Sequence, residues 1–188
     1  MPRAALAGSA RPKCLLGDDA TLRTMAHSLG RRLPPALVER LSQRDLESRL
    51  GVALPLVTVD EEGRPHPMLL SYLEVRAYDS GTLGLVIQAR SASARNLVER
   101  AAATLLIVES DAVVYVKTRV VDGPLDVAGA DALGYFLLAV EDVLEDTPAD
   151  WEGGVHITGS VRYAPVPALD GTWARATLAA LAAPRARA

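Results

Sequence analysis

The stretch Gln88-Ala89-Arg90-Ser91-Ala92-Ser93-Ala94-Arg95-Asn96-Leu97 concentrates groups able to hold an anion. It reads as the end of a strand, two serines and the entry to a helix carrying Arg95 near its start. The first N–H groups of a helix lack intrahelical acceptors and carry a partial positive charge, which suits a phosphate. The hydroxyls of Ser91 and Ser93 could donate to that anion, and Arg90 or Arg95 could pair with it. The same residues also suit a purely structural role. Ser93 would then be an N-cap, Asn96 would hold the capping-box position three residues on, and the arginines would be solvated. The residues alone leave both readings open.

Elsewhere the chemistry is sparser. His66 lies just past an acidic turn, where it could meet a ligand or simply face water. A stripe of Tyr115, Lys117 and Arg119 on one strand face could line a groove, or could be a solvated face whose long side chains cover apolar surface. His156, Thr158, Ser160 and Arg162 form a second such stripe, suited to an interface or to solvent. The acidic run Glu141–Asp150 lacks the spacing of a cation-binding loop and reads as a solvated helix end. Cys14 is the single thiol, so neither an internal disulfide nor a Cys-based zinc site is available. His27, His66 and His156 are too far apart in sequence for a ligand motif, so no metal is expected. No Gly-x-Ser-x-Gly elbow or other nucleophile constellation is present, and the catalytic residues stay unknown.

The 188 residues are 49% hydrophobic and 23% charged, the balance of an ordinary globular chain with a core of its own. A formal net charge of -3 with pI near 5.6 speaks against a nucleic-acid partner. No apolar run approaches the roughly 20 residues of a membrane helix, and Met1–Gly8 lacks the apolar stretch of a cleaved signal. A cytoplasmic protein is expected. Aromatic residues are only 4%, so Ala, Leu and Val must fill the core, and a planar ligand would find few rings to stack on. Trp151 and Trp173 read as packing anchors.

The elements that must position these groups follow from periodicity and turn chemistry. Residues 1–50 carry nine Arg/Lys against five Asp/Glu and read as helical, with residues 1–20 as a loose arm. Leu33-Pro34-Pro35 opens a helix over Ala36–Leu50, with Ser42 to Asp45 able to restart a second short one. Strands follow at Leu54–Val59, Arg64–Ala77 and Leu83–Ala89, separated by turns at Asp60–Gly63 and Asp79–Gly81. A helix at Ser93–Ala102 and a hairpin of Thr104–Glu109 with Ala112–Val121 come next. Within Asp131–Asp146, Leu133, Phe136, Leu137, Val140, Val143 and Leu144 recur at helical spacing and predict a helix. Val155–Tyr163 returns to period two and predicts a strand; Thr172–Ala183 predicts a terminal helix. The expected fold is mainly β with peripheral helices, a six-stranded antiparallel split β-barrel, with an open α+β sheet as the alternative. The divisions are an arm and helix over 1–33, the barrel over 34–165, and a helix and tail over 166–188.

Leu56-Val57-Thr58-Val59-Asp60-Glu61-Glu62-Gly63-Arg64-Pro65-His66-Pro67, followed by a strand, resembles the opening hairpin of the pyridoxamine 5'-phosphate oxidase-like FMN-binding split barrels. The resemblance continues through the third strand, the Ser-x-Ser-x-Arg-Asn-Leu helix entry and Thr104-Leu105-Leu106-Ile107-Val108, covering roughly residues 34–125. It implies a homodimer holding FMN, or a deazaflavin or haem in variants, in a groove between subunits. Carried over, His66, Met68, Leu69, Leu70 and Ser71 would lie by the ring and Gln88 by its polar edge. Arg90, Ser91, Ser93, Arg95 and Asn96 would surround the phosphate. Members of the family commonly carry basic residues where this chain has Ser91-Ala92-Ser93 and Ser71-Tyr72, so Arg90 or Arg95 would have to supply that charge. The implied activity is hydride transfer to or from a small organic substrate, since such a cofactor does the redox chemistry itself. The alternative is a non-catalytic split barrel that has lost flavin and acts as a binding protein.

Overall fold

A computed structural model describes residues 26–148 and 150–186; the expected arm over 1–20 lies outside them. Eight strands form one sheet: β1 (Ala26–Gly30), β2 (Ala53–Val59), β3 (Pro65–Ser71), β4 (Val75–Ala77), β5 (Thr82–Gln88), β6 (Ala102–Glu109), β7 (Ala112–Asp126) and β8 (Leu133–Asp146). Its order is β3-β2-β6-β7-β8-β5-β4, with β1 also on β8, and every pairing is antiparallel. Four α-helices among the described residues join it: α1 (Pro35–Arg40), α2 (Leu46–Arg49), α3 (Ala92–Arg100) and α4 (Thr172–Ala180).

The two edge strands, β3 and β4, are consecutive in the chain. Laid flat, this path would hold its edges roughly 29 Å apart at about 4.8 Å per strand. The four residue steps from Ser71 to Val75 span at most about 14 Å. The sheet must therefore curl, and it closes into a barrel that is split along the β3–β4 seam. Leu54, Leu56, Leu70, Leu85, Leu105, Val116 and Phe136, from six different strands, accordingly share one buried core. Leu37, Leu41 and Leu46 of the α1–α2 region and Ala94 and Leu97 of α3 belong to the same core, closing the two ends. A second apolar cluster lies outside the barrel, where Ala176, Ala180 and Leu181 of the α4 region cover Val86 and Tyr135.

The fold is the expected mainly β split barrel, with eight strands in place of six. Asp131–Asp146 is not a helix but the strand β8. Phe136, Leu138 and Val140 face the core in alternation. A bulge then lets Lys117 pair with Asp142 and Thr118 with Val140, skipping Glu141, so that Val143 regains the interior. Tyr135 and Leu137, on the opposite face, are covered by the α4 cluster. Apolar residues on both faces, together with a phase-shifting bulge, imitate helical spacing.

Val155–Tyr163 is not a strand. It is a strap across the barrel's outside, joined to it by one bridge between Val52 and Arg162 and by the amide of Ala53 donating to the Val161 carbonyl at 2.9 Å. Val155, Ile157 and Val161 are exposed, as are Trp151 and Trp173, so neither tryptophan is a packing anchor. Arg64–Ala77 is interrupted after Ser71, whose amide and hydroxyl donate to Glu74 Oε2 at 2.7 and 2.9 Å. Ala26–Gly30, in the stretch that reads as helical, is a strand because β8 offers it a partner from Ala26 opposite Asp146 onward.

Gly123 on β7 has φ +130°, and a Cβ there would meet the Tyr135 carbonyl oxygen at 2.8 Å and Phe136 Cα at 2.9 Å. Gly123→Ala is expected to lower stability by about 3 kcal/mol, measured by urea denaturation. Glu74 tests the seam by pH. Burial pushes its carboxyl above the ordinary value of 4.5, although the two Ser71 donors oppose the shift. A carboxyl raised on folding stabilises fully below its unfolded value and loses that contribution as pH rises through its folded value. Wild-type stability relative to Glu74→Gln should therefore decline as pH rises above 4.5; denaturation midpoints at a series of pH values check it.

Candidate functional site

The β5–α3 corner places the sequence-selected residues in distinct surroundings. Ser91, not Ser93, caps α3: its backbone is extended and its Oγ accepts from the Ala94 amide at 3.1 Å. Ser93 is buried two residues into the helix. Asn96 is also buried, and its amide donates to Thr58 Oγ1 at 3.0 Å, while the Thr58 hydroxyl donates to the His66 carbonyl at 3.2 Å. Asn96 thus ties the helix to β2 and β3 rather than completing a capping box. The helix starts earlier than its spacing predicts because Ser91 can cap while Ser93, Ala94, Asn96 and Leu97 turn into the barrel end.

The amides of Ala92 and Ser93 hold no acceptor among the described residues, as expected for the first turn. Arg90 is exposed beside them and faces no carboxylate among the described residues. Arg95 sits differently. With His66 and Asn96 it lines a hollow of about 140 Å³ whose other walls include Asp60, Glu61, Glu62 and Glu99. Those carboxylates oppose a dianion there by like-charge repulsion. A phosphate accordingly fits Arg90, the two free amides and the Ser91 hydroxyl proton better than it fits Arg95.

On β3, register separates residues that sequence order groups. Met68 lies opposite Leu56 and Leu70 opposite Leu54, which puts both on the core side; Leu70 is 0% exposed and Met68 packs against the core. Leu69 points outward at 50% exposure, and Ser71 is buried with its hydroxyl given to Glu74. Only Leu69 of that run offers a broad surface to a planar ligand. Gln88 is exposed at the end of β5, opposite Leu133. Gln88, Arg90 and Ser91 thus share one corner, while His66, Arg95 and Asn96 share the acidic hollow.

The Tyr115, Lys117 and Arg119 stripe does face outward, but β8 answers each residue. Tyr115 donates to Asp146 Oδ2 at 2.6 Å, Lys117 to Asp142 at 3.3 Å and Arg119 to Glu141 at 3.2 Å. His156 contacts the Gly154 carbonyl and Arg162 donates to that of Leu50, so their stripe braces the strap. Among the described residues no group of three or more His, Cys, Asp or Glu could hold a metal.

One polar cluster escaped the sequence entirely. At the α1–α2 end, Glu109 accepts from the Tyr72 phenol and faces Arg40 at 3.1 Å and Arg49 at 3.5 Å. Arg40 also forks onto both oxygens of Asp111, and the Arg49 guanidinium lies 5.3 Å from the Tyr72 ring centre. The hydrogen bond to Asp111 holds the Arg40 guanidinium well above its usual range, and Asp111 is held below the usual carboxylate range by the same bond. Burial, then the bond to Glu109, pushes the Tyr72 phenol up. No spacing rule joins positions 40, 49, 72, 109 and 111; only the closed barrel does.

No family model matches the sequence, and no curated protein does. Solved structures do. The chain is similar to split-barrel proteins. A candidate pyridoxamine 5'-phosphate oxidase from Lactobacillus delbrueckii shares 16% identity over 62% of this chain and 97% of its own, with a TM-score of 0.49. An FMN-binding protein from Syntrophomonas wolfei shares 12% over 61% of this chain and 91% of its own, at 0.46. A candidate flavin reductase with a split-barrel domain from Shewanella frigidimarina shares 12% over 63% and 80%, at 0.42.

The Asn96 assignment has a direct test. Asn96→Ala leaves the buried Thr58 hydroxyl without its donor, and should lower stability by about 1–3 kcal/mol, read from chemical denaturation.

Proposed function

We propose that the protein binds a flavin-type cofactor, FMN in the first instance, and passes a hydride between it and a small organic substrate. The observation that carries this reading is the β5–α3 corner, where Arg90 is exposed and pairs with no carboxylate among the described residues, next in sequence to the first two helix amides, although Ala92 also borders the acidic hollow. Arg90, the amides of Ala92 and Ser93, and the Ser91 hydroxyl proton would hold the phosphate. Leu69 would offer the ring an apolar outward face, which suits a chain with few aromatic residues. The cofactor, when bound, supplies the hydride chemistry; this chain's residues bind and orient it.

The same reading makes the protein a homodimer, with exposed Leu69 and Val161 as apolar surface for a second subunit, and places it in the cytoplasm. No helix among the described residues is long and apolar enough to cross a membrane. A deazaflavin would use the same anion cradle. Haem is disfavoured, since His27 faces Glu145 at 3.2 Å, His156 is held to Gly154 and His66 lies in the acidic hollow. The second reading, a barrel that binds without catalysing, is favoured by the carboxylates around Arg95.

Titration separates these. Wild-type protein should quench FMN fluorescence saturably. Arg90→Ala should weaken FMN by about tenfold or more and leave riboflavin, which lacks the phosphate, unchanged. A protein that saturates with neither FMN nor a deazaflavin at high micromolar concentration supports the non-catalytic reading and overturns the flavin one. Equal losses for FMN and riboflavin remove Arg90 from the cradle.

A further inference from the structure

Beneath the strap, on the outside of β6 and β7, runs a cleft that the flavin reading does not use. Leu106, Val108, Val113 and Ile157 give it apolar walls, and its volume is about 280 Å³, toward the small end of ligand sites. A smaller extension of about 180 Å³ continues past Val113 and Asp146 toward Asp111. The ionisable side chains lining the cleft itself are Tyr115, Asp146, Glu152 and His156; the extension adds Glu109, Asp111 and Glu145. No lysine or arginine lines either part.

Asp146 differs from the carboxylates around it. Glu109 and Asp111 face Arg40, Glu145 faces His27, Asp142 faces Lys117 and Glu141 faces Arg119. Among the described residues Asp146 meets only the Tyr115 phenol, on Oδ2. That bond, with burial second, pushes the phenol up to about 12, so Tyr115 stays a neutral donor and does not cancel the charge. The Oδ1 atom has no donor among the described residues. A carboxylate fixed at the end of an apolar cleft by a neutral donor complements a cation with an apolar body.

We propose that this cleft binds a small organic cation, its apolar body on Leu106, Val108, Val113 and Ile157 and its protonated amine against Asp146 Oδ1. The site stands apart from the β5–α3 corner and does not depend on a flavin.

The test uses the full chain at neutral pH and three probes of one shape: 4-phenylbutylamine, 4-phenylbutanol and 4-phenylbutyrate, titrated by calorimetry. The amine should bind about tenfold or more tightly than the alcohol, and the carboxylate should bind least. Asp146→Asn should bring the amine to the affinity of the alcohol and leave the alcohol unchanged. Val113→Lys, which places a cation in the cleft, should abolish amine binding while the urea-denaturation transition stays cooperative, showing an intact fold. Equal binding of amine and carboxylate, amine binding undiminished in Asp146→Asn, or no amine binding at millimolar concentration overturns the proposal.

Discussion

The short link between Ser71 and Val75 is the constraint on which the molecule depends. It joins strands at opposite edges of the sheet, and a chain that short leaves curling as the only way to keep all the other pairings. Once the sheet curls, alternate residues of every strand share one interior, and an apolar core forms without large aromatic content. Leu, Val and Ala fill most of that core, with Tyr72 and Phe136 as its aromatic members. The split at β3–β4 is the remnant of that closure, and Glu74 and Ser71 are bonded to each other there.

Closure leaves two open ends, and the chain treats them differently. One takes α3, whose buried Asn96 bonds Thr58 so that a helix with a polar inward residue still packs without an unpaired donor. The other takes α1 and α2 and gathers Arg40, Arg49, Tyr72, Glu109 and Asp111. Removing one member of such a partly buried set leaves its partners' charges desolvated and unmatched, so the network enforces one arrangement of the plug. The β5–α3 corner lies at the α3 end, and the cleft beneath the strap lies on the barrel wall.

Much of this was legible in the sequence. The β2–β3 hairpin, the β6–β7 hairpin, α3 and α4 follow from local turn and periodicity signals, because each element needs only its own residues or its immediate neighbour. β8 was not legible. Its two faces are buried by different partners, the barrel core and α4, and periodicity assumes a single buried face. β1 exists only because β8 has an edge to offer it. The strap shows the reverse case, since Val155–Tyr163 alternates correctly but meets no extended ladder. At the candidate site the corner itself was legible, whereas the division of labour within it was not. Sequence order groups Met68 to Ser71, but pleating sends Leu70 to the core and Leu69 to the surface. Likewise Arg95 looked equivalent to Arg90 until folding brought the acidic β2–β3 turn beside it.

A split barrel has exposed strand edges at its seam, and unpaired carbonyls there invite a foreign strand to add itself. Gln43 stands at that place in the left-handed region, with φ +64°. Its side-chain amide donates to the carbonyls of Tyr72, Leu73 and Val75 at 3.2, 2.9 and 3.2 Å. A single residue outside the sheet thus supplies donors to three carbonyls of the link, those of the buried Tyr72, Leu73 and Val75. The link that forces the sheet to close is thereby held from outside the sheet, by one side chain that satisfies carbonyls no strand partner reaches.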